Sequence, residues 1–544
     1  MCRLGYESIY VLPRKYAPRK GEEQRFFFFC LIWQGFLCRI HPVTYMNIRT
    51  IQTITTAALV SIGLYTADAQ TRVGVVYPLV HPLFSDHAVL QRDISVPVWG
   101  WAMPGSEVTV EFGGQTVKAN AEEDGKWMVH LAPMGYSSDP RSLKVSGTSN
   151  NLTQTVEAKD ILVGDVWFCS GQSNMEMGIK NCDAQEDIDA ANFPNVRLLT
   201  VPKSVQFEPQ LIAQVNWDRC TPEVLSTKGV WGGFSAAAFY FGRELNTTLN
   251  VPIGLIHSSW GGTLAEAWTS PEALKTLKDF DGRLADAKNA ITTNPGNPNI
   301  CSALYNGMVS PVLPYGIMGA IWYQGCSNAN RAYQYRALLS TMIQDWREKF
   351  QTGEFPFIIV QLAAFQPVHP EPRDNDWAEI RESQAYVSAT VPNTGLAVTI
   401  DIGDAGDIHP KNKRDVGKRL AYWALANTYG KREMPFSGPV YKSSSIIDGA
   451  IRLTFNHDCG GLKARSADGA LTGFAIAGED KKFVWAKAVI QDGTVLVYSP
   501  DVPNPVAVRY AWDINPVCNL FNGAGLPAVP FRTDDWPMIT RDNK

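Results

Sequence analysis

Ile161-Leu162-Val163-Gly164-Asp165-Val166-Trp167-Phe168-Cys169-Ser170-Gly171-Gln172-Ser173-Asn174-Met175 is the stretch on which the fold turns. Mostly apolar residues from Ile161 to Cys169 run straight into small and polar ones. A continuous apolar run of this length, closed by a turn residue, fits a strand buried on both faces. Comparable runs recur at Ile253 to His257, Gly319 to Tyr323, Phe357 to Leu362 and Leu396 to Ile400, with amphipathic stretches such as Tyr335 to Phe350 among them. Strands alternating with helices indicate an α/β fold, a parallel sheet flanked by helices, here expected over residues 161–430.

Outward from this block the pattern changes on both sides. Before it, Val96 to Trp101, Val108 to Phe112, Thr116 to Ala119 and Trp127 to Leu131 are separated by Pro104-Gly105, Gly113-Gly114 and Asp124-Gly125. Short strands at that spacing predict a β-sandwich domain over 70–160. After Tyr429-Gly430, Ile451 to Phe455, Val484 to Ile490, Thr494 to Tyr498 and Val506 to Trp512 predict a second β module over 431–544.

Residues 1–69 do not read as fold. Met46-Asn47-Ile48-Arg49, the mostly apolar Ile54 to Tyr65 and Ala67-Asp68-Ala69 form the pattern of a secretory signal peptide over 46–69, with 1–45 an upstream extension. Export to the periplasm or the exterior is therefore expected, with no membrane association after cleavage. The chain has 49 Lys and Arg against 53 Asp and Glu. Eight of the basic and four of the acidic residues precede Gln70, which leaves 41 and 49, a net charge of −8. Neither balance offers the cationic field that nucleic acid or an anionic membrane needs. At 544 residues the chain has room for three or four domains. The seven cysteines beyond residue 69 show no C-x-x-C spacing and read as buried free thiols, with Cys182 to Cys220 or Cys301 as the pairs to test for a disulfide.

Ligands of open parallel sheets bind beyond the carboxyl ends of the strands, so the residues that follow each apolar run carry the chemistry. The first end offers Ser173 near a helix start, where Oγ faces solvent and its own N–H points to the same place; a serine there also serves simply as an N-cap. The second, Ser259-Trp260-Gly261-Gly262-Thr263, lets backbone N–H groups approach a ligand, or merely turns the chain. The third, Trp322-Tyr323-Gln324-Gly325-Cys326-Ser327-Asn328, offers the Asn328 amide as a donor, although asparagine also favours turns. In the fourth, Asp407-Ile408-His409-Pro410, Asp407 and His409 face the same side of an extended segment that Pro410 favours. The carboxylate can then reach one imidazole nitrogen and leave the other for a serine; a solvated loop is the plain alternative.

These four blocks together resemble the SGNH (GDSL-like) hydrolases, and more closely the sialate O-acetylesterase family of carbohydrate esterases. The resemblance runs from about Leu83 to Phe531-Arg532-Thr533-Asp534. It implies an SGNH-like catalytic domain and a serine carboxylic-ester hydrolase that removes O-acetyl groups from sugars, sialic acid above all. Ser173 would be the nucleophile, His409 the base and Asp407 its orienting acid. The oxyanion hole would comprise the N–H groups of Ser173 and of Gly261 or Gly262, with Asn328. Gln172, Asn174, Trp260 and Gln324 become candidate substrate contacts. Cys326 stands where many relatives carry Glu, and the position three before His409, where the wider superfamily places its acid, is Gly406.

No His-Glu-x-x-His pattern or Cys/His cluster argues for a metal, so neither metal nor cofactor is expected. The expected partner is an O-acetylated sugar or glycan, acetylated xylan being an alternative to sialic acid. A second reading makes Ser327 the nucleophile, because Gly325-Cys326-Ser327-Asn328-Ala329 approaches the G-x-S-x-G elbow of α/β-hydrolases. A third is an inactive glycan-binding protein, against which the joint presence of Ser173, Asn328 and His409 counts.

Overall fold

The computed structural model describes residues 77–544. The expected signal peptide and upstream extension lie outside the described residues. The central sheet is built from β1 (Leu152–Gly171), β2 (Phe193–Thr200), β3 (Asp218–Cys220), β4 (Ile253–Ser259), β5 (Gly319–Tyr323), β6 (Phe357–Val360) and β7 (Thr394–Ala397). Its order is β7-β6-β5-β1-β4-β2-β3, and every pairing is parallel except β2 with β3. The last run, expected to reach Ile400, leaves the sheet at Ala397, and Ile400–Ile402 is a 3-10 turn. That strand is an edge, paired to β6 alone, so no second neighbour holds it longer.

β1 explains why the opening stretch reads as it does. Its first half alternates or is exposed and pairs antiparallel with Ser137–Ser149; from Ile161 to Gly171 every residue is buried. There β4 and β5 flank it on both sides in parallel register, which demands apolar side chains on both faces. The residue 160/161 boundary expected from the change in pattern thus falls within one continuous strand. Asp160 marks the place with φ 57°, and its carboxylate takes bonds from His87, Arg197 and Arg219.

Helices cover both faces. Trp167 meets Phe241 of α2 (Ala236–Leu249) edge to face at 4.9 Å, whereas the next residue, Phe168, meets Trp346 and Phe350 of α3 (Ala332–Phe350) at 5.2 and 5.4 Å. Successive strand residues point to opposite faces, so α2 and α3 lie on opposite sides of the sheet. α4 (Asp376–Thr390) packs beside α3, and α5 (Lys413–Asn427) beside α2. A Cβ at Gly417 of α5 would come within 2.4 Å of Tyr240 Cβ, so only glycine permits this helix crossing.

In the N-terminal region Val96–Trp101 pairs with Lys126–Leu131, and Glu107–Phe112 pairs with Gln115–Asn120 and Ser137–Ser149, all antiparallel. The C-terminal region contains two four-stranded sheets. The first is made of Val440–Ile447, Ala450–Asn456, Thr494–Tyr498 and Lys487–Gln491, and the second of Val484–Trp485, Phe474–Ala477, Ala507–Tyr510 and Phe531–Arg532. Leu453, Val495, Ile476 and Val508 belong to their shared core. All seven cysteines among the described residues are free, so no bridge joins Cys182 to Cys220 or Cys301; these three are buried, and burial raises their thiols to about 11 or 12. Among the described residues no helix is long and apolar enough to cross a membrane.

Candidate active site

The site forms where β1 ends. Gly171 has φ 143°, and a Cβ there would lie 2.3 Å from the Tyr323 carbonyl, so the strand turns hard against β5. Gln172 follows as N-cap of the one-turn helix α1 (Ser173–Glu176), its N–H donating to Tyr323 O at 3.0 Å. Ser173 is therefore not a cap. Its Oγ lies 2.8 Å from His409 Nε2, and its N–H has no acceptor among the described residues.

His409 stands on the loop between β7 and α5. Asp407 Oδ1 accepts the His409 backbone N–H at 2.8 Å and approaches Nδ1 at 3.3 Å, an ion-pair contact with a carboxylate that is 54% exposed. The other two nearby acids are committed elsewhere: Asp401 to Arg419 at 2.6 and 2.8 Å, and Asp404 to the Gly406 N–H at 2.8 Å. Trp231 meets the His409 ring edge to face at 4.9 Å. Burial lowers the His409 pKa from its ordinary value; the Asp407 charge opposes this, and Lys413 reinforces it.

Lys413, which sequence reasoning did not single out, ties together the two loops that carry Ser173 and His409. It is buried, and its Nζ donates to Asn174 Oδ1 at 2.8 Å and to Pro410 O at 2.5 Å. Asn174 Nδ2 in turn donates to Ile408 O at 2.9 Å. The residue after Ser173 and the carbonyls on both sides of His409 thus share one clamp. Among the described residues no carboxylate lies within ion-pair distance of the ammonium, and burial pulls its pKa down to about 8. The available signal was position, since Lys413 opens a helix, capped by Asn412, four residues after His409.

Glu176 is the second group missed. At i+3 from Ser173 it shares the same face of α1, and its Oε2 accepts the Gly261 N–H at 2.6 Å while Oε1 pairs with Lys203 at 2.5 Å. Lys203 lies 5.1 Å from the centroid of the half-buried Trp260 ring. The Gly261 donor is therefore occupied. That of Gly262, at φ 74° with open space around the glycine, has no acceptor among the described residues.

Asn328 makes no hydrogen bond to Ser173 among the described residues, and one of its Nδ2 protons is taken. It is 1% exposed; its Oδ1 accepts from Ala265 N at 3.0 Å and Gln324 Nε2 at 2.6 Å, and its Nδ2 donates to Glu266 Oε2 at 3.0 Å. Buried Glu266 is held in turn by Arg283 and Arg331, each at 2.7 Å. Gln324 is equally committed, to Thr263 O, Asn328 and Tyr335 OH. Gln172 gives its Oε1 to the N–H groups of Gly325 and Ser327. Of the expected substrate contacts, Gln172, Asn174 and Gln324 thus brace the loops, because a buried amide must satisfy its hydrogen bonds within the protein.

Ser327 sits in a 3-10 helix, Cys326–Arg331, and no histidine contacts it. Burial pushes the Cys326 thiol up to about 12, so it carries no charge. A further serine–histidine contact, Ser259 Oγ to His257 Nε2 at 2.6 Å, is sealed within β4 away from solvent. No group of three or more His, Cys, Asp or Glu among the described residues is arranged to hold a metal ion.

Residues 163–426 match the family model described as carbohydrate esterase, sialic acid-specific acetylesterase. The chain is 31% identical over 506 residues to the sialate O-acetylesterase of Homo sapiens, covering 85% of this chain and 94% of that protein. It is also 31% identical to the enzyme of Mus musculus, with coverages of 82% and 92%. A crystal structure of a carbohydrate acetylesterase from Xanthomonas citri matches with 38% identity and a TM-score of 0.75, over 84% of this chain and 100% of that one.

Proposed function

The chain belongs to the sialic acid-specific acetylesterase family of carbohydrate esterases, and we propose that it deacetylates O-acetylated sugars through Ser173 and His409, with sialic acids the foremost substrates. The observation that carries the mechanism is the 2.8 Å contact between Ser173 Oγ and His409 Nε2. Neutral His409 takes the Oγ proton as the oxygen attacks the acetyl carbon. The oxyanion is met by the free N–H groups of Ser173 and Gly262, while Asp407 steadies the imidazolium. His409 gives that proton to the departing sugar oxygen. A water that loses a proton to the same ring then attacks the acetyl-serine, the acyl–Oγ bond breaks, and acetate leaves as His409 returns the proton to Ser173. Asn328 is left out of this scheme, because the one donation its side chain makes among the described residues goes to Glu266.

Support for sialic acids comes from the family match and from the 31% identity to the sialate O-acetylesterases. The broader reading, acetylated xylan or another polysaccharide, draws on the higher identity to the Xanthomonas citri carbohydrate acetylesterase. Acetate release from O-acetylated sialic acids and from acetylated xylan oligomers separates the two. Ser173→Ala should abolish release on either substrate with the fold intact, and Ser327→Ala should preserve it; the reverse would move the nucleophile. Export rests on the 46–69 pattern, and N-terminal sequencing of secreted protein should begin near Gln70 rather than at Met1.

A further inference from the structure

A cavity of about 160 Å³ opens in the C-terminal region, and its wall combines Trp485 with Arg373, Lys481 and Asp374, the last paired with Arg509. Trp485 is 40% exposed, yet its indole N–H donates to Pro370 O at 2.6 Å, which fixes the ring. Arg373 is exposed but equally fixed. Its Nη2 meets His369 Nε2 at 2.5 Å, and His369 Nδ1 meets buried Asp513 at 2.9 Å. A donor at Nδ1 leaves Nε2 as the acceptor, so a buried carboxylate orients the guanidinium through the imidazole without neutralising it directly. Among the described residues neither Arg373 nor Lys481 has a carboxylate within ion-pair distance. Behind them Arg509 stacks on Phe483 at 4.2 Å and Trp512 at 5.0 Å and is paired with Asp534 and Asp374, which makes the floor rigid.

We propose that this cavity is a second, non-catalytic glycan site for a carboxylate-bearing sugar. The apolar face of a pyranose stacks on the fixed indole, and its carboxylate accepts hydrogen bonds from Arg373 and Lys481. A neutral sugar would use the ring and leave both cations unanswered. Local cations matter the more because the chain beyond residue 69 carries a net charge of −8, which disfavours acidic glycans elsewhere. The cavity shares wall residues with its neighbours. It shares Trp485 with a neighbour of about 310 Å³, which shares Asn515 and Pro516 with a third lined by Asp401 and Gly403, at the start of the segment that carries His409.

The test is calorimetric titration of the full chain with 3′-sialyllactose, with a glucuronic-acid-bearing xylo-oligosaccharide and with lactose as neutral control, alongside turnover of 4-nitrophenyl acetate. Trp485→Ala and the double change Arg373→Met with Lys481→Met should each weaken binding of at least one acidic sugar about tenfold, the loss of roughly 1.4 kcal/mol. Lactose should bind far more weakly than that acidic sugar, and acetate turnover should match wild type in every variant. Identical titrations by wild type and Trp485→Ala, or equal affinity for lactose, would overturn the proposal. Chromogenic turnover reads the esterase assignment separately, so failure of one is not mistaken for failure of the other.

Discussion

His409 is a base whose surroundings favour its neutral form. Burial and the Lys413 charge both lower its pKa, and Asp407 only partly offsets them. Since the base works unprotonated, the acid limb of kcat/KM should have its midpoint below the ordinary 6.5 of histidine, and Asp407→Asn should move it lower still while reducing turnover. A limb above 6.5 would contradict this. The half-exposed Asp407 at 3.3 Å argues for a loss short of the ~10⁴-fold seen when a buried triad acid is replaced. Lys413 makes a prediction of opposite kind. Its folded pKa of about 8 lies below its ordinary 10.5, so the unfolded chain binds the extra proton between those values and stability rises with pH across that window. Chemical denaturation should show this rise in wild type and lose it in Lys413→Met, whose turnover should also fall as the clamp on Asn174 and Pro410 goes. Equal pH slopes for the two proteins would refute this role for Lys413.

The strands that place the site were legible because burial on both faces writes an unbroken apolar run, and Ser173, His409 and Asp407 stood at the ends where such runs stop. The twenty-residue span of β1 was not legible, since its first half is edge-like and half-solvated and its second half central and buried, two patterns that read as two elements. Asn328 shows the other limit. Its place in the chain suggests a donor near the serine, but the direction of its amide is set by Glu266, 62 residues earlier, and no local pattern records that. Asn328→Ala should therefore act on the element and not on one transition-state bond. It strands the Ala265 N–H, Gln324 and Glu266, and should cost about 2 kcal/mol of stability by denaturant titration. A hundredfold loss of turnover with unchanged stability would instead restore Asn328 to the oxyanion hole.

Across the whole molecule, the alternation of patterns marks three regions, but not how firmly they are joined. Buried Arg381 of α4 donates to Leu362 O and Ala363 O beyond β6 and also to Asp513 O and Ile514 O of the C-terminal region. Glu379, two residues earlier, accepts from Ile539 and Thr540 near the chain's end. Removing residues 431–544 would leave that guanidinium buried with half its acceptors gone, so a chain ending at Gly430 should be insoluble or lack a cooperative melt; a soluble, active fragment would show the catalytic domain to be self-sufficient. The same distant pairing explains why composition alone gave no sign of it, since the donors and acceptors lie more than a hundred residues apart.

The assignment of Ser173 as nucleophile supports every step of the proposed chemistry, and it can be read directly. The enzyme is mixed with excess 4-nitrophenyl acetate, quenched in acid within the first turnovers, digested and mapped by mass spectrometry. The expected result is a single acetyl group on the peptide that contains Ser173, absent when His409 is replaced by Ala. An acetyl group on Ser327, or full turnover with no acetylated serine at any quench time, would contradict it.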